Sequence, residues 1–392
     1  MVVGAPHGNA PLPAAYQTAQ LNTEANTEAA GEAFVFNYRG LNSAPVEALL
    51  TETDGLPEAD AATVDQQGGD QFGAAVAIAG DDGSGEDVVV GAPGYNRGSG
   101  AAYAFYRLPD QGSGNGPSWT RSSGASGSGQ LTPAAPQAAD PGAGAPLAGE
   151  FGSSVVVGGV SASGGRVVIG MQGYNQTNSS NIITAANAGA IRTYTTNGTL
   201  PSNADPNLDA EILEGPHGQK TFGQDTVYDA STRMLFVAAP PAAGTAGVDV
   251  YLNEGLYWQF VQTLTAPTAD SGFAQFGFAL AASGNTLVIG APSSNQSDNG
   301  LVLIYTITDN TLSQPQIVTG ANYDFGYSVA VSGGNLVVGS PQETVSYTFA
   351  PGGETTPSLA MTNVGAAYVY TQSGATWGLS LRMAAMRLPT KC

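Results

Sequence analysis

Apolar and polar positions alternate with a period of two along most of the chain, in short runs cut by glycine-rich turns. In "FGFALAASGNTLVIGAP", residues 276 to 292, two alternating segments flank Ser-Gly-Asn and Gly-Ala-Pro closes the second. A near copy, "FGYSVAVSGGNLVVGSP", begins at Phe325. Alternation over five to seven residues marks a half-buried β-strand, and a tight Ser-Gly turn joins two such strands as a hairpin.

The same sentence recurs. Phe-Gly pairs stand at Phe72-Gly73, Phe151-Gly152, Phe222-Gly223, Phe276-Gly277 and Phe325-Gly326, each opening a first strand. A second, apolar strand follows and ends in a Gly-Ala-Pro-like turn: "VVVGAP" to Pro93, "FVAAP" to Pro240, "VIGAP" to Pro292 and "VVGSP" to Pro341, with a degenerate "VVIGMQG" at 167 to 173. A glycine then introduces a third strand, as in "GEAFVFNY" from Gly31, "GAAYAFY" from Gly100, "GAIRTYT" from Gly189, "GLVLIYT" from Gly300 and "GAAYVYT" from Gly365. The three tryptophans of the chain, Trp119, Trp258 and Trp377, all fall just after a third strand and mark a fourth. Each Trp is therefore expected at one equivalent blade position. Four short antiparallel strands repeated about every 50 residues are the mark of β-propeller blades, which bury their faces only against neighbouring blades.

The predicted fold class is thus all-β, a β-propeller of four-stranded antiparallel blades spanning 1–392, with repeats near 1–50, 70–138, 149–215, 220–267, 274–320 and 323–386. These motifs resemble the FG-GAP repeat family, known from the head of integrin α subunits and from secreted algal and bacterial proteins. The form here looks most like the short subtype with a Ser-Gly turn between the first two strands. The resemblance implies seven blades, whereas six are visible and the first enters at its second strand. Met1 is followed at once by Val-Val-Gly-Ala-Pro, the interior of a repeat, so truncation at the N-terminus is expected; otherwise the tail "LRMAAMRLPTKC" supplies the missing strand. No basic and apolar leader is visible at the start.

Composition narrows the function classes. The formal net charge of −20, with lysine only at Lys220 and Lys391, repels nucleic-acid phosphates and anionic lipid. No apolar stretch is long enough for a membrane-spanning helix. The single cysteine, Cys392, permits neither an intrachain disulfide nor a cysteine metal cage. Histidine occurs only as His7 and His217, and no nucleophile elbow or zinc-binding pair is present, so no catalytic residue is assigned. A carboxylate-only enzyme would need acids converging in a cleft with raised pKa, for which Glu24, Glu28 and Glu343 are the candidates.

In such a blade the 1–2 and 3–4 hairpins lie at one end and the 2–3 and 4–1 connections at the other. The 1–2 turns are short, while 2–3 insertions occur at residues 7 to 30, 174 to 188 and 342 to 364, and a long 4–1 stretch runs from Ser122 to Glu150. One elaborated end suggests a binding end; linker-like composition in the last stretch also fits a flexible spacer. "GYN" recurs there, making Tyr95, Asn96, Arg97 and Tyr174 candidate ligand contacts, with an ordinary turn as the plainer reading. Integrin-type repeats place a calcium loop between strands 1 and 2. The one acidic version, "AGDDGSGED" at 79 to 87, offers Asp81, Asp82 and Asp87, enough for one weak calcium ion or simply a solvated acidic hairpin. Four sequons, at Asn175, Asn178, Asn197 and Asn295, would accept N-glycans in a secreted eukaryotic chain. The integrin resemblance implies a non-catalytic extracellular or cell-surface module binding a protein or glycan. The alternatives are an accessory or catalytic domain of a secreted polysaccharide-active enzyme and a structural repeat of an extracellular coat.

Overall fold

The computed structural model describes residues 2–5, 31–36, 46–50, 70–79, 87–107, 119–121, 130–132, 149–158, 165–177, 183–196, 210–215, 221–239, 247–255, 257–266, 275–293, 298–348, 358–361 and 364–384. They form eight sheets, six of them the blades expected from the repeats and two of them two-stranded hairpins, distributed over two compact units of residues 1–226 and 227–392. In the first unit, blade one has three strands, Val2–Ala5, Glu32–Phe36 and Val46–Leu50. Blade two runs Ala75–Ala79, Asp87–Ala92 and Ala101–Arg107, with Trp119–Arg121 and Gln130–Leu131 sharing the fourth position. Blade three is Phe151–Val157, Arg166–Met171, Ala190–Thr195 and Ala210–Glu214.

The second unit holds blades four to six. Blade four is Thr226–Asp229, Met234–Ala239, Gly247–Asn253 and Trp258–Thr265, its first strand starting at the unit boundary. Blade five is Ala279–Ser283, Thr286–Ala291 and Leu301–Thr308, with Thr311–Leu312 and Gln316–Thr319 both paired to its third strand. Blade six is Ser328–Ser332, Asn335–Ser340, Ala366–Ser373 and Thr376–Ala384. Among the described residues, no helix is long and apolar enough to cross a membrane.

The Phe-Gly pair is the centre of a β-turn that leads into the first strand, and in blade three the strand begins at Phe151 itself. The N–H after each pair donates to the carbonyl before it, as in Ala74 to Gln71 at 2.9 Å and Tyr327 to Asp324 at 3.1 Å. The glycine holds φ between 86° and 94° in all five copies, the left-handed value that the third residue of a type II turn requires. The turn aims the phenylalanine into the preceding blade. All five, Phe72, Phe151, Phe222, Phe276 and Phe325, are 0% exposed, each worth about 1.5 to 3 kcal/mol of burial.

The glycine of the Gly-Ala-Pro turn receives the other half of this contact. A methyl group on Gly4, Gly91, Gly170 or Gly290 would fall 1.9 to 2.2 Å from the carbonyl oxygen of Gly73, Gly152, Gly223 or Gly326, the turn glycine of the following repeat. Its hydrogen therefore points at that oxygen in a Cα–H···O contact that no side chain can share. The glycine before the third strand completes the seam: Gly31, Gly100 and Gly189 form parallel bridges to Phe72, Phe151 and Phe222. Where Ala238 replaces the Gly-Ala-Pro glycine, the junction is wider, and a methyl on Gly277 would sit 3.6 Å from the Ala238 Cβ. The apolar clusters lie between consecutive blades, such as Phe236, Val250, Leu287 and Leu303 between blades four and five.

The tryptophans share one register. Trp119, Trp258 and Trp377 pair with Arg107, Asn253 and Gln372, the same position along the third strand when the blades are aligned on its first residue. Gln316 of blade five grips the Trp377 backbone from both sides, its Nε2 donating to the carbonyl at 2.8 Å and its Oε1 accepting the N–H at 2.9 Å.

Two glycine substitutions separate the blade-to-blade contact from strand propensity. In Gly290→Ala the methyl meets the Gly326 carbonyl at 2.2 Å, and the backbone must move, so urea unfolding should show a loss of about 1 to 3 kcal/mol or more. In Gly339→Ala, the same position of blade six, the nearest atom is the Ser328 hydroxyl, the free end of a rotatable side chain. That variant should stay within about 0.5 kcal/mol of the parent.

Candidate functional site

The 2–3 connections are built structures in three blades. In blade two the connection makes one helical turn, Tyr95–Gly98. In blade three it carries its own small hairpin, Gln176–Thr177 against Ile183–Ala185. In blade six a longer hairpin pairs Val345–Thr348 with Ser358–Met361. The 1–2 turns of blades five and six are tight by comparison; Ser283 pairs directly with Thr286, and Ser332 with Asn335.

Each of the three connections is fastened at one equivalent residue, the third after the second strand. Tyr95 accepts the Gly100 N–H at 2.9 Å through its carbonyl, Tyr174 accepts that of Gly189 at 3.0 Å, and Glu343 accepts that of Gly365 at 3.2 Å. The repeated "GYN" thus supplies a backbone acceptor that returns the chain to the third strand. The tyrosine rings are half-buried: Tyr95 meets Tyr103 edge-on with ring centroids 6.4 Å apart, and Tyr174 packs on the cluster of blades two and three. Asn96 and Arg97 lie in the middle of the helical turn, and their side chains lie outside the described residues.

Glu343 does with charge what Tyr95 does with its ring. It is 3% exposed, and both carboxylate oxygens lie 2.6 Å from the hydroxyl of Tyr368, which occupies the register of Tyr103. Arg382 closes the group, ion-paired to Glu343 and donating from Nε to the Tyr368 oxygen at 3.2 Å. Burial and then the Glu343 carboxylate push the Tyr368 pKa up to about 12, so its proton stays on the phenol and remains a donor. Asp324 secures the start of the same connection, accepting the Ser340 hydroxyl at 2.6 Å and the Gln342 N–H. In blade three Gln176 Nε2 donates to the Gly215 carbonyl at 2.8 Å and ties the small hairpin down.

The other sequence candidates fall as follows. Glu24 and Glu28 lie outside the described residues, as do Asp81, Asp82, Asn178, Asn197 and Asn295. Asp87 heads the second strand of blade two, 7% exposed. Among the described residues no group of three or more His, Cys, Asp or Glu is placed to hold a metal ion. Asn175 is 1% exposed and its Oδ1 accepts the Asn187 N–H at 2.7 Å, so this asparagine does not present its amide to solvent as a glycan acceptor must. The Glu343–Tyr368–Arg382 group went unread in the sequence. Its available signal was the alignment of Glu343 with Tyr95 and Tyr174 once all three are counted from the Gly-Ala-Pro turn.

Residues 258–305 match the FG-GAP repeat family. No curated protein matches the chain. Among solved structures, the hypothetical selenium-binding protein of Sulfolobus tokodaii is 8% identical over 90% of this chain and 87% of its own, with a TM-score of 0.36. The fucose-recognising lectin of the fungus Aleuria aurantia, a six-bladed β-propeller, is 12% identical over 79% of this chain and 94% of its own, TM-score 0.34. A Trypanosoma rangeli sialidase mutant is 10% identical over 78% of this chain, which spans 52% of that enzyme, TM-score 0.35.

The carboxylate clamp yields one expected outcome. Tyr368→Phe removes the phenol hydroxyl on Glu343 and should cost about 1 to 3 kcal/mol. Hydrogen exchange at the Val364 and Gly365 amides, which both donate to the Glu343 carbonyl, should accelerate well before the rest of blade six.

A second outcome concerns pH. Asp249, in the third strand of blade four, is 0% exposed; its Oδ1 accepts from Thr263 at 2.6 Å and its Oδ2 has no partner among the described residues. Burial raises its pKa above the ordinary 3.8, with the Thr263 hydrogen bond opposing. The folded state therefore holds this proton more tightly than the unfolded one. Stability from this group is complete below pH 3.8 and is lost as pH rises through the raised pKa. Asp249→Asn should raise stability by about 1 to 3 kcal/mol at pH 7, and the difference in Tm from the parent should shrink towards zero in acid.

Proposed function

We propose, from the premise that this chain is an FG-GAP β-propeller protein, that it is a non-catalytic extracellular or cell-surface module that binds a protein or glycan through the 2–3 ends of its blades. The observation carrying this reading is that the connections of blades three and six carry paired strands anchored by buried polar groups, Gln176 on Gly215 and Glu343 on Tyr368 and Arg382. Loops fastened at their base and projecting from a rigid scaffold present side chains at fixed positions, which lowers the ordering cost of binding. The buried carboxylates of this end support a binding rather than a catalytic role. Glu343 and Asp324 are each engaged with neighbours that hold the connection.

The experiment is a glycan and cell-surface-protein array probed with the intact chain and two variants, one with residues 177–183 and one with residues 345–361 replaced by a tight turn. Loss of a ligand in either variant, with Tm within a few degrees of the parent, is the expected result, because closing a shorter loop changes stability only slowly. Turnover of a polysaccharide that disappears in Glu343→Gln would overturn the binding-module reading, as would a ligand retained by both variants.

A further inference from the structure

Seams between consecutive blades can be compared position by position, because the third strands align on their first residues. Between blades five and six, Val302 and Ile304 of one blade share an apolar cluster with Tyr368 and Tyr370 of the next. Between blades two and three the same positions are Ala102 and Ala104 on one side and Arg192 and Tyr194 on the other. The glycine contact is equally tight in both seams: a methyl group on Gly91 would fall 2.1 Å from the Gly152 carbonyl oxygen, and one on Gly290 would fall 2.2 Å from that of Gly326. The blades therefore approach to the same distance, while alanines stand where the other seam has valine and isoleucine. Interiors are close-packed, and a seam thinned in this way has room for a group of a few atoms.

The seam is also polar where its counterpart is apolar. Arg192 is 9% exposed; its guanidinium lies over the Tyr194 ring, 5.1 Å from the centroid, and donates from one Nη to the Thr132 carbonyl at 3.0 Å. Its Nε is buried with no partner among the described residues, as are the hydroxyls of Tyr194 and of Thr196, two residues on. Arg192 makes no ion pair among the described residues. A guanidinium keeps its charge when buried. An unpaired charge and an unmet donor each carry a desolvation cost, which native interiors remove with a counter-charge, an ion or ordered water. Burial raises the Tyr194 pKa, with the Arg192 charge opposing, so the phenol keeps its proton and can donate. Each open group thus offers a hydrogen, and none brings negative charge.

We infer that the seam between blades two and three binds a small monovalent anion of halide size, held between the Arg192 guanidinium and the Tyr194 hydroxyl. Charge selects an anion over water alone, because water would satisfy the hydroxyl and leave the arginine uncompensated. Burial selects a small ion, since the 0% exposure of Tyr194 leaves no opening for a bulky carboxylate. The ion belongs to the packing of the blades and is independent of any ligand at their 2–3 ends.

The probe is bromide, with chloride beside it. In crystals of the intact chain grown with sodium bromide, an anomalous peak is expected next to Arg192 and Tyr194. In solution, replacing gluconate by either halide at constant ionic strength should raise the Tm saturably, by about 2 to 4 °C. Arg192→Met should abolish the rise, and Tyr194→Phe should weaken halide affinity about tenfold. Ala102→Val with Ala104→Ile gives blade two the side chains of blade five and should abolish the rise with Arg192 still in place. A seam holding water alone, with no anomalous peak in bromide and a Tm indifferent to halide, overturns the inference. So does a rise that persists in Arg192→Met. The diffraction measurement needs no variant and decides the matter if the substituted chains fail to fold.

Discussion

Two glycine backbones meeting across a blade junction set the terms for the rest of this structure. One lies at the end of a second strand and the other at the centre of the following Phe-Gly turn, and the space a side chain would need is filled by a carbonyl oxygen, as between Gly91 and Gly152. The approach is close enough to place the turn's phenylalanine fully inside the preceding blade. Each motif in the repeat then has one physical origin. The turn requires positive φ, the strand end requires the absence of Cβ, and the glycine before the third strand must pass under the phenylalanine backbone.

The seam locks the end of the second strand in blades two and three, and in blade six Asp324 holds it by accepting the Ser340 hydroxyl, so whatever follows begins from a fixed register and can vary without disturbing the packing. Blades two, three and six use that freedom differently: a helical turn, a short hairpin and a long hairpin. All three return through a carbonyl at the same position, yet the side chain there is tyrosine twice and glutamate once. The exchange of a ring contact at Tyr95 for a carboxylate and phenol at Glu343 keeps the connection anchored by different chemistry. Buried polar groups of this kind contribute only when fully partnered, and Glu343 is, through Tyr368 and Arg382.

Much of the architecture was legible in the sequence because it repeats. The Phe-Gly pairs, the apolar second strands and the register of Trp119, Trp258 and Trp377 are periodic signals that reinforce one another. The shared fourth position of blade two was not legible, since Trp119–Arg121 and Gln130–Leu131 are too short to show alternation. The connections were hardest to read. "GYN" has the residue types of a ligand contact, but its function in the fold is carried by a backbone carbonyl, which leaves no side-chain signature. Glu343 looked like a candidate acid because a sequence shows a carboxylate and not the tyrosine and arginine that fold onto it from Tyr368 and Arg382. Asp249 reads as an ordinary polar residue between valines, and only the structure shows it buried.

The most direct test of this account is a crystal structure in which the blade junctions are measured. Close packing of the glycine seam predicts that the carbonyl oxygens of Gly73, Gly152, Gly223 and Gly326 lie about 3.3 to 3.6 Å from the Cα atoms of Gly4, Gly91, Gly170 and Gly290, the range of Cα–H···O contacts, and that the junction facing Ala238 is wider. Oxygens separated from those Cα atoms by a side chain or an ordered water, or an Ala238 junction as tight as the others, would contradict it.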